Sequence, residues 1–193
     1  VSASAVEKSY TLTFKDNGSN TDGNELTGNI PLSTVIASGT DYVSSISSTT
    51  KIYLGKTNCG LKLGTSSAAG SITFSLSEKG KVKATKIVLN CAAYNSNKSV
   101  KIDVNGLDSQ TLSSTTFSDV TFTFTAATAI TELQIKKTKY SYVKSLTVFY
   151  EEDSGLLPAG LAFSETTASA TLGSEFTEPT LTKATDAAVT YAS

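Results

Sequence analysis

Tryptophan, methionine and histidine do not occur among the 193 residues, there is no arginine, and cysteine and proline number two and three. Without histidine there is no Ser-His-Asp relay, no imidazole general base and no His-ligated zinc. Without arginine there is no bidentate fork for a phosphate or a base edge. The basic residues are all lysine, and 16 of them against 17 acidic residues leave a net charge of −1. That balance supplies no basic patch, which excludes nucleic-acid binding by phosphate neutralisation. No apolar run approaches the roughly 18 residues that a membrane-crossing helix needs. The chain opens on Val1 without the hydrophobic core of a signal peptide. Together with the hydroxyl-rich composition, this leads us to expect an exported chain whose leader has been removed, secreted or at the cell surface.

The two cysteines, Cys59 and Cys91, lie at the edges of two predicted strands. They read either as two small buried thiols or as a disulfide closing a loop of about 30 residues, which would contribute roughly 3 kcal/mol in an oxidising compartment. A catalytic or metal role is excluded, since there is no CxxC spacing and no histidine partner.

What is abundant is serine and threonine, roughly three residues in ten. Threonine suits pleated strands and serine suits turns, so the bias favours an all-β protein. The plan is visible in Gly60–Leu76: Leu61 and Leu63 flank Lys62, Ile72, Phe74 and Leu76 alternate with Ser and Thr, and a loop of small residues from Gly64 to Gly70 separates the two runs. Period-two alternation marks half-buried strands. It recurs at Tyr10/Leu12/Phe14, Ile87/Leu89/Cys91, Val100/Ile102/Val104, Val120/Phe122/Phe124, Ile130–Lys136 and Leu146/Val148/Tyr150. Lys83–Tyr94, apolar on both faces, reads as a central strand. Asn105-Gly106 predicts a type I′ hairpin returning through Gln110–Leu112. Pro31–Ala37 reads as a strand or as one helical turn started by proline. Roughly nine to eleven strands at hairpin spacing imply a two-sheet antiparallel β-sandwich of the jelly-roll kind.

Asp16–Asn24 interrupts the first strand with two Asn/Asp-Gly steps. Asp16, Asn20, Asp22 and Asn24 offer oxygen ligands to a structural Ca²⁺, although a plain solvated loop fits the spacing better. No other cofactor is implied. Asp41, Asp103, Asp108, Asp119 and Glu132 fall on predicted turns or exposed strand faces, where nothing pairs them into a glycosidase-type acid/base couple. Glu151-Glu-Asp-Ser-Gly155 ends the pattern, and adjacent carboxylates on a strand point to opposite faces. The chain therefore divides into a sandwich over residues 1–152, a linker over 153–158, and a short β unit over 159–193 with too few strands to bury a sheet face alone.

Tyr10-Thr-Leu-Thr-Phe, Gly60-Leu-Lys-Leu-Gly-Thr-Ser-Ser, Gly70-Ser-Ile-Thr-Phe, Lys86-Ile-Val-Leu-Asn, Val104-Asn-Gly and Val143-Lys-Ser-Leu-Thr-Val together resemble a galactose-binding-like jelly-roll module of exported bacterial multidomain proteins. Residues 156–193, with Leu161-Ala-Phe163, Phe176-Thr-Glu-Pro179 and Val189-Thr-Tyr191, resemble the opening half of a bacterial Ig-like group 2 domain. The resemblance implies a non-catalytic binding module, often for carbohydrate. Relatives that bind sugar present aromatic and polar groups from loops. Here Tyr42, Tyr94, Tyr140 and Tyr142, with Asn95 and Asn97 as amide partners, are the candidates. The partner is then a glycan. The alternative is an adhesion or assembly subunit that meets another surface protein, with self-association through the incomplete second domain.

Overall fold

The computed structural model describes residues 5–97, 99–153, 161–163 and 181–183. In chain order the elements are β1 (Ala5–Phe14), β2 (Glu25–Leu26), the single turn α1 (Leu32–Val35), β3 (Ile36–Ser38), a 3-10 turn (Thr40–Tyr42), β4 (Val43–Thr50), β5 (Ile52–Leu54), β6 (Leu61–Leu63), β7 (Gly70–Leu76), β8 (Lys83–Ala93), β9 (Val100–Val104), β10 (Gln110–Leu112), β11 (Ser118–Ala129), β12 (Glu132–Thr138), β13 (Ser141–Asp153), β14 (Leu161–Phe163) and β15 (Leu181–Lys183). No helix among the described residues is long and apolar enough to cross a membrane.

The chain divides into a unit Glu7–Glu151 and a second made of Val1–Val6 with Glu152–Ser193. In the second unit, β14 pairs antiparallel with β15, with Leu161 opposite Lys183 and Phe163 opposite Leu181. The expected 153–158 linker, beyond Asp153 at the end of β13, lies outside the described residues, as do Phe176–Pro179 and Val189–Tyr191.

The first unit is an antiparallel β-sandwich. Its larger sheet runs β11-β8-β13-β6-β5-β2, with β1 also pairing β13 and carrying β3; the smaller runs β10-β9-β12-β7-β4. Alternation places the core: Leu12, Ile72, Phe74, Ile87, Leu89, Ile102 and Val104 are all 0% exposed. The Phe14 ring of one sheet stacks on Phe74 of the other at 5.8 Å. β8 sits between β11 and β13, the central position its two apolar faces predicted. At the β9–β10 turn Asn105 and Gly106 both have positive φ, 49° and 72°, and the Leu107 amide donates to the Val104 carbonyl. That is the I′ geometry in which Asn-Gly is favoured. Pro31 starts α1, and the chain then straightens so that Ile36 pairs Phe14. The ambiguous segment is therefore a helical turn and a strand in succession.

Strict alternation along β13 would put Val143 and Leu146 on opposite faces, yet both are 0% exposed. A register shift resolves this: Val143 lies opposite Cys91 and Ser145 opposite Asn90, so Lys144 is the extra residue of a β-bulge. Gly60, at φ 68°, passes against the bulge, where a Cβ would collide with the Val143 carbonyl. Asp103 departs from its expected exposure. It is 1% exposed and accepts from the Ser109 hydroxyl at 3.4 Å.

Candidate functional site

Five strands and one register row build the site. Glu25 on β2 lies opposite Tyr53 on β5, Tyr53 opposite Lys62 on β6, Lys62 opposite Tyr142 on β13, and Tyr142 opposite Ala92 on β8. Their chain neighbours Ile52, Leu61, Leu63, Val143 and Cys91 are 0% exposed in the core, so this row projects from the other face of the sheet. Two connections add rings to it. Tyr140, at φ 50°, precedes β13, and Tyr94 follows β8; the Tyr94 amide donates to the Tyr140 carbonyl at 2.7 Å. The Tyr94 ring stands edge-on to Tyr140 at 3.9 Å between centroids and lies nearly parallel to Tyr142 at 5.4 Å, with Phe117 6.5 Å from Tyr142.

Lys62 Nζ lies 4.6 Å from the centroid of Tyr53, 5.2 Å from Tyr140 and 5.4 Å from Tyr94, within cation–π range of all three. Its counter-ion is Asp22, whose Oδ2 is 3.2 Å away, and each of these side chains is only 12% exposed. Asp22 Oδ1 accepts from the Tyr142 hydroxyl at 2.8 Å and from the Lys56 amide at 3.1 Å. Burial, then the hydrogen bond to Asp22, raises the Tyr142 phenol well above the ordinary tyrosine value. Burial, then the Asp22 charge, raises Tyr94 as well. Both remain neutral donors at physiological pH. The Gly55 backbone lets the Tyr142 ring approach, since a Cβ there would stand 3.0 Å from the ring.

The loop of the candidate calcium ligands also borders the site. Asp16 Oδ1 accepts from the Gly18 amide and Oδ2 from the Asn58 amide, Asn17 bonds within its own turn, and Gly23 donates to Leu54. Asp16 and Asp22 thus both face hydrogen-bond donors, and Asn20 and Asn24 are exposed. Among the described residues no group of three or more His, Cys, Asp or Glu side chains is placed to hold a metal ion.

Of the sequence candidates, Tyr94, Tyr140 and Tyr142 come together. Asn95 adjoins them, half-buried, and its Oδ1 is buried with no hydrogen-bond partner. Asn97 is exposed. Tyr42 lies elsewhere, stacked on Tyr10 at 4.2 Å beneath Lys79, and belongs to the packing around Gly80. Lys62, Tyr53 and Phe117 were missed. The outward positions in Ile52-Tyr-Leu and Leu61-Lys-Leu were a signal for the first two, but only register shows that they meet. Cys59 and Cys91 are free thiols and do not form the disulfide. Cys91 faces the core opposite Val143, while the charges that act on Cys59 are Lys56, Lys144, Asp22 and Asp16, beyond the core.

The arrangement presents half-buried rings of Tyr53, Tyr94 and Tyr140 around the Lys62–Asp22 pair, with half-buried Phe117 beside Tyr142. Such a surface can stack on an apolar ligand face and donate hydrogen bonds. No protein-family model matches the chain, and no curated protein matches it. Among solved structures, it is similar to a family two carbohydrate esterase from Cellvibrio japonicus, at 11% sequence identity and a TM-score of 0.40, over 80% of this chain and 38% of that one.

Proposed function

We propose that the Glu7–Glu151 sandwich is a non-catalytic, extracellular carbohydrate-binding module of the galactose-binding-like jelly-roll type. On this reading β14 and β15 belong to a following Ig-like domain. The observation that carries it is the cluster of Tyr94, Tyr140 and Tyr53 rings around the Asp22–Lys62 pair. A pyranose offers one face of C–H bonds and a rim of hydroxyls. The tyrosine rings suit the face, and their hydroxyls and the unsatisfied Asn95 oxygen suit the rim. Because Lys62 and Asp22 already fix the rings, little side-chain freedom is lost on binding. Asp22 is held between a lysine, a tyrosine and an amide, which suits a scaffold better than a general acid.

The test is calorimetric titration against soluble plant, fungal and host polysaccharides. Wild type binds one class, and Tyr94→Ala binds it about tenfold or more weakly while its far-UV spectrum remains that of the folded chain. An intact protein that binds none of them ends the proposal.

A further inference from the structure

The edge strand β11 is regular only over its first half. Ser118 to Thr123 pair in order with Cys91 to Lys86 of β8, and the next pair is Thr128 with Ala84. Phe124, Thr125, Ala126 and Ala127 therefore have no partner on β8 and bulge from the sheet, a device that re-aims side chains and often borders binding sites. The bulge opens two depressions that meet at Phe124 and Gly106. One, of about 360 Å³, is bounded by Asn105, Thr128, Glu132, Gln134 and Lys136. The other, of about 450 Å³, is bounded by Leu107, Asp108, Gln110, Thr121, Thr123 and Thr125. Each falls within the roughly 300–1,000 Å³ usual for small-molecule sites.

Their chemistry is distinctive. Phe124 is half-buried against the core and forms the saddle between them. Thr121, Thr123 and Gln110 spend their backbones on strand pairing, and their side chains, with those of Thr125 and Asp108, are exposed at the groove where a ligand can reach their polar groups. The opposite wall is fixed: Asn105 donates to the Glu132 carbonyl and accepts from the Gln134 amide, which pins the β9–β10 turn to β12. Two carboxylates, Asp108 and Glu132, against one cation, Lys136, disfavour an anionic ligand. An added peptide strand is disfavoured too, because strand addition needs a straight run of free amides and carbonyls, and β11 loses its regular line after Thr123.

We propose that this groove is a second glycan site, taking two adjacent residues of a neutral linear sugar chain, one in each depression, across the Phe124 ring. The inference rests on the carbohydrate reading above and adds a second place and a ligand class to it.

The experiment is chemical-shift mapping on isotope-labelled full chain, titrated with neutral oligosaccharides from β-glucan, xylan, mannan and galactan. The expected result is a set of shifted amides over Thr121–Ile130 and Asn105–Gln110, separate from the set at Tyr53, Lys62, Tyr94 and Tyr140. Phe124→Ala weakens binding in the groove set about tenfold and spares the other. Since Phe124 also packs on the core, the exposed Thr125→Arg serves as the second variant, blocking the groove with an unchanged melting temperature. Shifts at the tyrosine set alone overturn the groove and leave the proposed function standing. Shifts in the groove alone keep this inference and move the module's site away from the tyrosines. Shifts in neither set overturn both, and groove shifts produced by an extended peptide but by no oligosaccharide overturn this one.

Discussion

Lys62 and Asp22 meet at 3.2 Å although one stands mid-strand on β6 and the other in the loop before β2, and both side chains are 12% exposed. An ion pair so little wetted is expensive to break from one side, because the survivor keeps its charge without its partner. Asp22→Asn and Lys62→Met should each destabilise the fold by about 2–3 kcal/mol in urea titrations. The double variant should cost clearly less than the sum, which a double-mutant cycle reads directly.

High pH should attack the same place. Burial raises Tyr142, Tyr10 and Tyr94 above the ordinary tyrosine value of about 10. In the unfolded chain these phenols ionise near that value, and in the folded chain later. Their contribution is therefore whole below pH 10 and is lost as pH climbs from there towards the folded values. Denaturant midpoints should stay level through neutral pH and fall above it, and tyrosinate absorbance should show a late fraction that appears together with unfolding. A fall that began near neutrality would contradict the assignment.

The thiols should be inert. Burial pushes Cys91 up to about 12, with the Asp119 charge adding to it, and burial raises Cys59 as well. Thiolate is the reactive form, so a native sample at neutral pH should resist iodoacetamide at Cys91, and both cysteines should label once the chain is unfolded. A mass spectrum showing a native disulfide between them would refute the fold around β13.

Two glycines with the same backbone conformation should respond differently to alanine. Gly18 (φ 66°) has open space around its missing side chain, whereas Gly60 (φ 68°) has the Val143 carbonyl and Lys144 in the way. Gly18→Ala should cost about 1 kcal/mol, the strain of the left-handed region alone. Gly60→Ala should cost about 3 kcal/mol or more and disturb the Tyr142 environment, as thermal melts would show.

Period-two reading recovered the sandwich because each buried face repeats its apolar residues, as at Leu12, Ile72 and Ile102. It stumbled where strands depart from regularity: the extra residue at Lys144 and the long bulge after Thr123 leave no mark in composition. The candidate cluster was half legible. Tyrosines beside turns drew attention to Tyr94, Tyr140 and Tyr142, but Tyr42 carried the same signal and is a packing residue. Lys62 and Tyr53 join the cluster through pairing between strands that sequence does not number, and the loop residue Asp22 meets Lys62 through tertiary packing that sequence does not show.

The row from Tyr53 through Lys62 to Tyr142 draws on three strands, and Asp22 and Tyr94 close it from two loops. These rings reach their native surroundings only when β5, β6, β8 and β13 have paired. In a chain without tryptophan, tyrosine emission is not swamped. Tyrosine emission thus follows the packing of this cluster together with that of the separate Tyr10, Tyr42 and Tyr150 group, two reporters of assembly in one spectrum.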